Sequence, residues 1–176
     1  VAADICPQDS WIVSPGFYTR LIKPRQRRLF DAVKRKTNAK IFYHSCGAAF
    51  DLIPHLIDIG VDIINPVQVS ARGMDTKRLK AAYGRDVVFW GGGVDTQHVL
   101  PFGTPPQVTD EVKRRIEDLA PGGGFVFAAA HNTQARVPPA NLGAALETPA
   151  SPGQLSPAPA VRAARDKRST RTRPAD

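Results

Sequence analysis

The 176-residue sequence lacks a long hydrophobic run, and it contains only two cysteines, Cys6 and Cys46. No apolar stretch approaches the roughly 20 residues that a helix needs to span a bilayer, which excludes a transmembrane helix. Two cysteines are too few for a secreted disulfide scaffold, and residues 1–4 show no pattern of a signal peptide. The sequence therefore predicts a cytoplasmic protein without a membrane partner.

The sequence also lacks the glycine motifs that bind nucleotide phosphates. Neither G-x-G-x-x-G nor G-x-x-x-x-G-K-S/T follows any apolar run, although glycine triplets occur at 91–93 and 122–124. The second triplet precedes its apolar run, which is the wrong side for a phosphate-binding loop. A nucleotide-binding sheet therefore has no support.

The excess of positive charge is divided between two regions of different composition. Residues 149–176 hold six basic and two acidic side chains, five of the 16 prolines and no aromatic residue. Such a segment cannot bury enough apolar surface to offset its ordering entropy, so we predict a disordered basic tail. Residues 1–148 are predicted to form the folded domain. Only Phe30 lies near the basic residues of the first predicted helix, so nucleic acid is not an expected partner.

Short apolar runs alternate with amphipathic stretches in residues 1–148. The apolar runs are rich in β-branched and aromatic residues, which predicts buried strands at 39–43, 61–64, 86–90 and 124–128. Apolar residues at helical spacing predict helices at 18–33, 50–57, 79–83 and 108–119. Pro24 and Pro54 predict kinks or shifted starts in two of these helices. The alternation predicts a parallel α/β fold.

Polar residues follow each predicted strand, where parallel α/β folds place their chemistry. His44 and Cys46 are two positions apart, so their side chains point to the same side of a strand end. Zinc accepts imidazole and thiolate ligands, and His131 after the last strand supplies a third ligand that leaves one position open. The alternative is that these are hydrogen-bonded residues with a structural role.

Of four further residues, two have alternative roles, and two are predicted to lie at the surface. Asp95, with Gln97, either binds a polar substrate or caps the turn before Pro101. His55 and His98 are predicted to lie at the surface.

Five segments resemble the uroporphyrinogen decarboxylase family, which includes the corrinoid-dependent methyltransferases, in their order and spacing. They are SPGFY through IKPR at 14–25, AKIFYHSCG at 39–47, GVDIINPVQ at 60–68, FWGGGVDTQ at 89–97 and LAPGGGF through VPP at 119–139. The resemblance covers about residues 2–146 and implies an α/β fold, the (β/α)8 TIM barrel. Counted back from the last strand, the chain would hold strands five to eight, the C-terminal half, and the end of strand four near Asp4. We therefore expect a fragment of a larger enzyme.

The methyltransferase branch of this family suggests one chemistry. There a His-x-Cys after strand five and a Cys after strand eight bind zinc, which activates a thiol to accept methyl from a corrinoid. His44 and Cys46 match this pattern, and His131 stands in place of the second Cys. The expected partners are a small-molecule thiol and either a corrinoid protein or a complementary N-terminal half-barrel. The residues expected to line the cleft and bind substrate are Asn65, Gln68, Asp95 and Gln97.

The decarboxylases of porphyrin and heme biosynthesis suggest an alternative chemistry. These lyases generally lack the His-x-Cys and need no cofactor, and a His after the last strand faces the tetrapyrrole substrate. His131 would then be the catalytic residue. The essential Asp and Arg of that reaction belong to the N-terminal half of the barrel, and Cys6 stands about where the family has Gly. A second alternative is therefore a catalytically inactive half-barrel.

Overall fold

The computed structural model describes residues 1–2 and 4–148, and the predicted tail at 149–176 lies outside the described residues. Four strands form one sheet in which every pair is parallel. Their order in the sheet follows the sequence: β1 (Phe42–His44), β2 (Ile63–Asn65), β3 (Val88–Trp90) and β4 (Phe125–Val126). Each strand overlaps one of the predicted runs, which confirms the parallel α/β prediction. Parallel strands in sequential order, joined by helices, are the arrangement of part of a (β/α)8 barrel.

Helices connect and cover the strands. They are α1 (Pro15–Phe17), a π-helical turn (Tyr18–Ile22), α2 (Lys23–Lys36), α3 (Ile53–Asp58), α4 (Thr76–Tyr83), α5 (Val99–Phe102), α6 (Pro105–Leu119) and α7 (Pro139–Glu147). The four predicted helices are confirmed. The periodicity predicts neither α5 nor α7. Helix α5 has only four residues, and α7 is made largely of small residues. None of the helices in the described ranges is long and apolar enough to cross a membrane.

Local sequence signals fix the helix starts. The Ser14 hydroxyl accepts a hydrogen bond from the Phe17 backbone N–H at 3.1 Å, and Asp75 caps α4 in the same way. Pro54 lies in the first turn of α3, where a missing N–H leaves no helical bond unmade. Pro24 follows the π-helical turn inside a continuous helical stretch, residues 15–36. Pro54 therefore shifts a helix start, as predicted, whereas Pro24 accompanies a local π-helical irregularity in the first predicted helix.

Buried side chains form two clusters. The larger lies between the sheet and helices α2 to α4, and Tyr43, Leu52 and Phe89 are fully buried in it. The smaller joins α5, α6 and α7 through Leu100 and Val112. Phe125 of β4 packs against both clusters and so connects them.

The N-terminal segment runs beside β1. Ala2 forms a parallel bridge with His44, and the His44 backbone N–H donates to the Val1 carbonyl at 2.9 Å. Ile5 and Cys6 then turn into the larger core cluster, where both are buried. This path brings Asp4 to the carboxyl edge of the sheet.

Candidate metal centre

Asp4, His44 and Cys46 meet at the carboxyl end of β1. One ligand atom from each residue (a carboxylate oxygen, an imidazole nitrogen and the thiol sulfur) lies within 4.8 Å of the other two. His44 Nε2 is 3.6 Å from Cys46 Sγ, and the Cys46 backbone N–H donates to Asp4 Oδ1 at 3.1 Å. The prediction that His44 and Cys46 face the same side is confirmed. The sequence analysis does not predict that Asp4 belongs to this group of ligand atoms.

Asn65 fixes the orientation of the His44 ring. The two residues lie opposite each other in the β1–β2 register, and His44 Nδ1 is 2.7 Å from Asn65 Oδ1. The Asn65 amide nitrogen donates to the Trp90 carbonyl at 3.1 Å, so its oxygen must accept from His44. The ring proton is therefore assigned to Nδ1, and Nε2 keeps its lone pair on the side of Cys46.

The three side chains fit a zinc ion. Tetrahedral zinc, with bonds of about 2.0–2.3 Å, holds its ligand atoms about 3.4–3.6 Å apart. The 3.6 Å between Nε2 and Sγ matches this spacing, and no pair in the group exceeds 4.8 Å. Oxygen, nitrogen and sulfur donors together suit zinc better than magnesium or calcium. A zinc ion held by these three side chains would have a fourth coordination position open.

The two cysteines differ in their surroundings. Burial raises the pKa of the half-buried Cys46 thiol, and the Asp4 carboxylate raises it further. A bound cation opposes both effects, since it favours the thiolate. Burial raises the pKa of Cys6 to about 11, and the side chain is 2% exposed. Cys6 is therefore a core residue, whereas Cys46 is placed to bind a ligand.

Gly47 lets the N-terminal segment approach the loop after β1. Its φ angle is +88°, and a Cβ atom there would lie 1.6 Å from the carbonyl oxygen of Cys6. The next residue, Ala48, donates its N–H to the Pro7 carbonyl at 2.9 Å. Only glycine permits this contact, which holds Asp4 next to Cys46.

Two predicted substrate-binding residues join the loops at this edge. Gln68 accepts a hydrogen bond from the Gly47 N–H at 2.8 Å and donates to Gln8 at 2.6 Å. The Ser70 hydroxyl donates to Gln97 Oε1 at 3.0 Å. The Gln97 side chain remains exposed at the mouth of the site, and Gln68 is half-buried below it.

Asp95 caps the turn after β3. Its Oδ1 accepts from the backbone N–H groups of Gln97 and His98, at 2.7 and 3.2 Å. Its Oδ2 is 2.9 Å from His98 Nδ1, and its own N–H donates to the buried carboxylate of Glu111. Of the two alternatives for Asp95, the structure shows the turn cap.

The other histidines lie away from the His44–Cys46 pair. His131, the predicted third ligand, is exposed after β4 and is not in the ligand group formed within residues 1–2 and 4–148. His98 is exposed, as predicted. The surface prediction for His55 is wrong, because its ring is half-buried against Trp11 and Tyr18. This burial lowers the pKa of His55, and the ammonium of Lys23 lowers it further.

Comparison with solved structures supports the barrel-like architecture. The chain is similar to a methyltransferase from Methanosarcina mazei, with a TM-score of 0.64 and 19% sequence identity over 84% of this chain. The chain spans 40% of the length of that protein. At this identity the likeness shows the fold alone. Comparison with curated proteins gives no match.

Comparison with protein families gives a match over most of the chain. The sequence model described as Uroporphyrinogen decarboxylase (URO-D) matches residues 2–150. The match includes all four strands and the ligand group at the end of β1. The chain therefore belongs to the uroporphyrinogen decarboxylase family.

Proposed function

We propose that this chain carries the zinc centre of a methyltransferase that moves a methyl group between a corrinoid and a thiol. The observation that carries the proposal is the 3.6 Å approach of His44 Nε2 and Cys46 Sγ at a strand's carboxyl end. A His-x-Cys at this place is the pattern of the family's methyltransferase branch. The methyltransferase among the solved structures supports the same choice.

Each residue of the site has a separate role in the proposed reaction. Bound zinc would lower the pKa of a substrate thiol and supply the thiolate that accepts the methyl group. Asn65 keeps the His44 proton on Nδ1, so that Nε2 is available as a ligand. Gln97, exposed at the mouth of the site, is placed to bind polar groups of the thiol substrate. Asn65, Gln68 and Asp95 support the site by holding the loops that surround it.

The active unit contains more of the barrel than this chain. The chain spans 40% of the length of the similar methyltransferase, and β4 pairs only with β3 within the described residues. A half-barrel leaves a strand edge unpaired, and such edges invite pairing with another chain segment. We therefore propose that these residues form the C-terminal half, completed by the N-terminal half and served by a corrinoid protein.

Metal analysis of the purified chain tests the zinc centre. We expect about one zinc ion per chain in the parent and its loss in His44→Ala and Cys46→Ala, because each variant removes a ligand. His98→Ala is the matched control, since it removes an exposed imidazole at the end of another strand. A parent protein that binds no zinc contradicts the proposal. Thiol methylation from methylcobalamin by the completed barrel, lost in the same two variants, tests the reaction.

Decarboxylation of uroporphyrinogen is the second candidate function. It is favoured by the exposed position of His131 after β4, apart from the ligand group. Carbon dioxide release by the completed barrel that depends on His131 but not on His44 would establish it. A catalytically inactive half-barrel would show neither activity, and the isolated chain would melt broadly.

A further inference from the structure

We propose that Asp4, and not His131, is the third protein ligand of the metal centre formed by His44 and Cys46. This inference rests on the zinc centre of the proposed function and specifies its ligand set. Its basis is the placement of the Asp4 carboxylate within 4.8 Å of both His44 and Cys46 ligand atoms.

Four features of the N-terminal segment hold Asp4 in this position. The backbone before it pairs with β1 through the Ala2–His44 bridge, and the residue after it, Ile5, is buried in the core. The Ile5 N–H donates to the Ser45 hydroxyl at 3.4 Å, and the Cys46 N–H donates to Asp4 Oδ1 at 3.1 Å. A carboxylate has about four acceptor sites on two oxygens, so one backbone hydrogen bond leaves room for a metal ion. Asp4 is therefore positioned before any ion binds.

His131 is not in the ligand group that forms within residues 1–2 and 4–148. It follows β4, and two strands separate β4 from β1. The His131 side chain is exposed, and no described contact directs it toward the His44–Cys46 pair. The structure therefore brings Asp4, and not His131, to the His44–Cys46 pair.

The charge of the ligand set also changes with this assignment. The Asp4 carboxylate and the Cys46 thiolate together neutralise the two charges of a zinc ion, whereas an imidazole adds no charge. A substrate thiolate in the fourth position would then give the centre a net negative charge. Such a centre holds the substrate sulfur less tightly and leaves it a better nucleophile. Asp4 thus serves the proposed methyl transfer more directly than a second histidine.

Metal titration of the full 176-residue chain tests the assignment. Zinc affinity is measured by competition with a chromophoric chelator, and Co2+ replaces zinc to report the ligands through its visible and thiolate charge-transfer bands. We expect Asp4→Asn to weaken zinc binding by about 100-fold or more, since loss of an outer-shell contact alone costs about 10–100-fold. The Co2+ bands should shift while the thiolate band remains. His131→Ala and Asp9→Asn, an exposed acid of the same segment, should leave affinity and spectra unchanged.

The outcomes separate this inference from the proposed function. Circular dichroism and thermal melting confirm that each variant is folded before titration. If Asp4→Asn binds zinc as tightly as the parent, Asp4 is not a ligand. If His131→Ala loses the affinity instead, His131 is the third ligand. If the parent binds neither zinc nor Co2+, the zinc centre of the proposed function fails together with the assignment.

Discussion

The ends of β1 and β3 each hold an aspartate and a histidine, but the two pairs have different surroundings. At β1, the ligand atoms of Asp4, His44 and Cys46 lie within 4.8 Å of one another. At β3, both oxygens of Asp95 are bonded within its own turn, to the Gln97 and His98 backbones and the His98 ring. The pair at β1 is the one proposed to bind an ion, whereas the hydrogen-bond acceptors of Asp95 at β3 are already occupied.

Separation along the chain explains this difference. Asp95 and His98 are three positions apart, and an aspartate readily accepts the N–H groups that follow it in a turn. Asp4 is 42 positions from Cys46, and strand pairing brings the two together. A distant residue placed by backbone pairing keeps acceptor sites that a local turn would use. The Asp4 carboxylate therefore keeps acceptor sites for a ligand, whereas the Asp95 carboxylate uses its acceptor sites to hold the turn after β3.

The largest expected effect comes from separating the N-terminal segment from the loop after β1. Gly47→Ala places a methyl group against the Cys6 carbonyl and strains a positive φ angle. We expect a loss of about 4 kcal/mol in unfolding free energy and loss of zinc binding, because Asp4 moves away. Gly122→Ala is the matched control, with φ of +74° and nothing within 4 Å of its Cβ. Urea unfolding and zinc titration measure both variants, and equal losses would show that the Cys6 contact is unimportant.

A smaller effect, on stability alone, is expected at the β3 end. Glu111 accepts from the Asp95 N–H at 3.1 Å and pairs with Arg115 at 2.7 Å, and its side chain is 4% exposed. Glu111→Ala leaves the guanidinium of Arg115 in a largely buried place, so we expect a loss of about 3 kcal/mol. Glu117→Ala, at an exposed position of the same helix, should change stability little. Zinc affinity should stay at the parent value in both variants. A lower zinc affinity in Glu111→Ala would show that the ends of β1 and β3 are energetically coupled.

The smallest expected effect is on metal affinity, with a modest change in stability. Asn65→Ala removes the acceptor that fixes the His44 proton on Nδ1, so we expect a 10–100-fold weaker zinc affinity, about 1.4–2.7 kcal/mol. Asn132→Ala, an exposed amide after β4, should leave the affinity unchanged. The His44 tautomer, followed by nitrogen NMR, should become mixed in Asn65→Ala. A tautomer unchanged in that variant would assign the orientation of His44 to other contacts.

The sequence alone predicts the parts of the site that depend on local periodicity. The alternation of a strand is enough to bring His44 and Cys46 to one side, and apolar runs locate all four strands. Asp4 is different, because its place depends on the register between the N-terminal segment and β1. The one sequence signal for Asp4 is the family resemblance, which places this residue near the end of strand four of the barrel. The surface prediction for His55 failed because Trp11 and Tyr18, distant in sequence, cover the ring.

The Ala2–His44 pairing connects the N-terminal segment to β1, so the proposed metal centre would also affect folding. An ion held by Asp4 and Cys46 would close a loop of 42 positions that contains α1 and α2. It would act as a reversible cross-link between the two ends of this loop. At a free zinc concentration 100 times the dissociation constant, binding to the folded state alone adds about 2.7 kcal/mol to stability. Zinc supply would then set how much of the chain is folded, as well as how much of it is active.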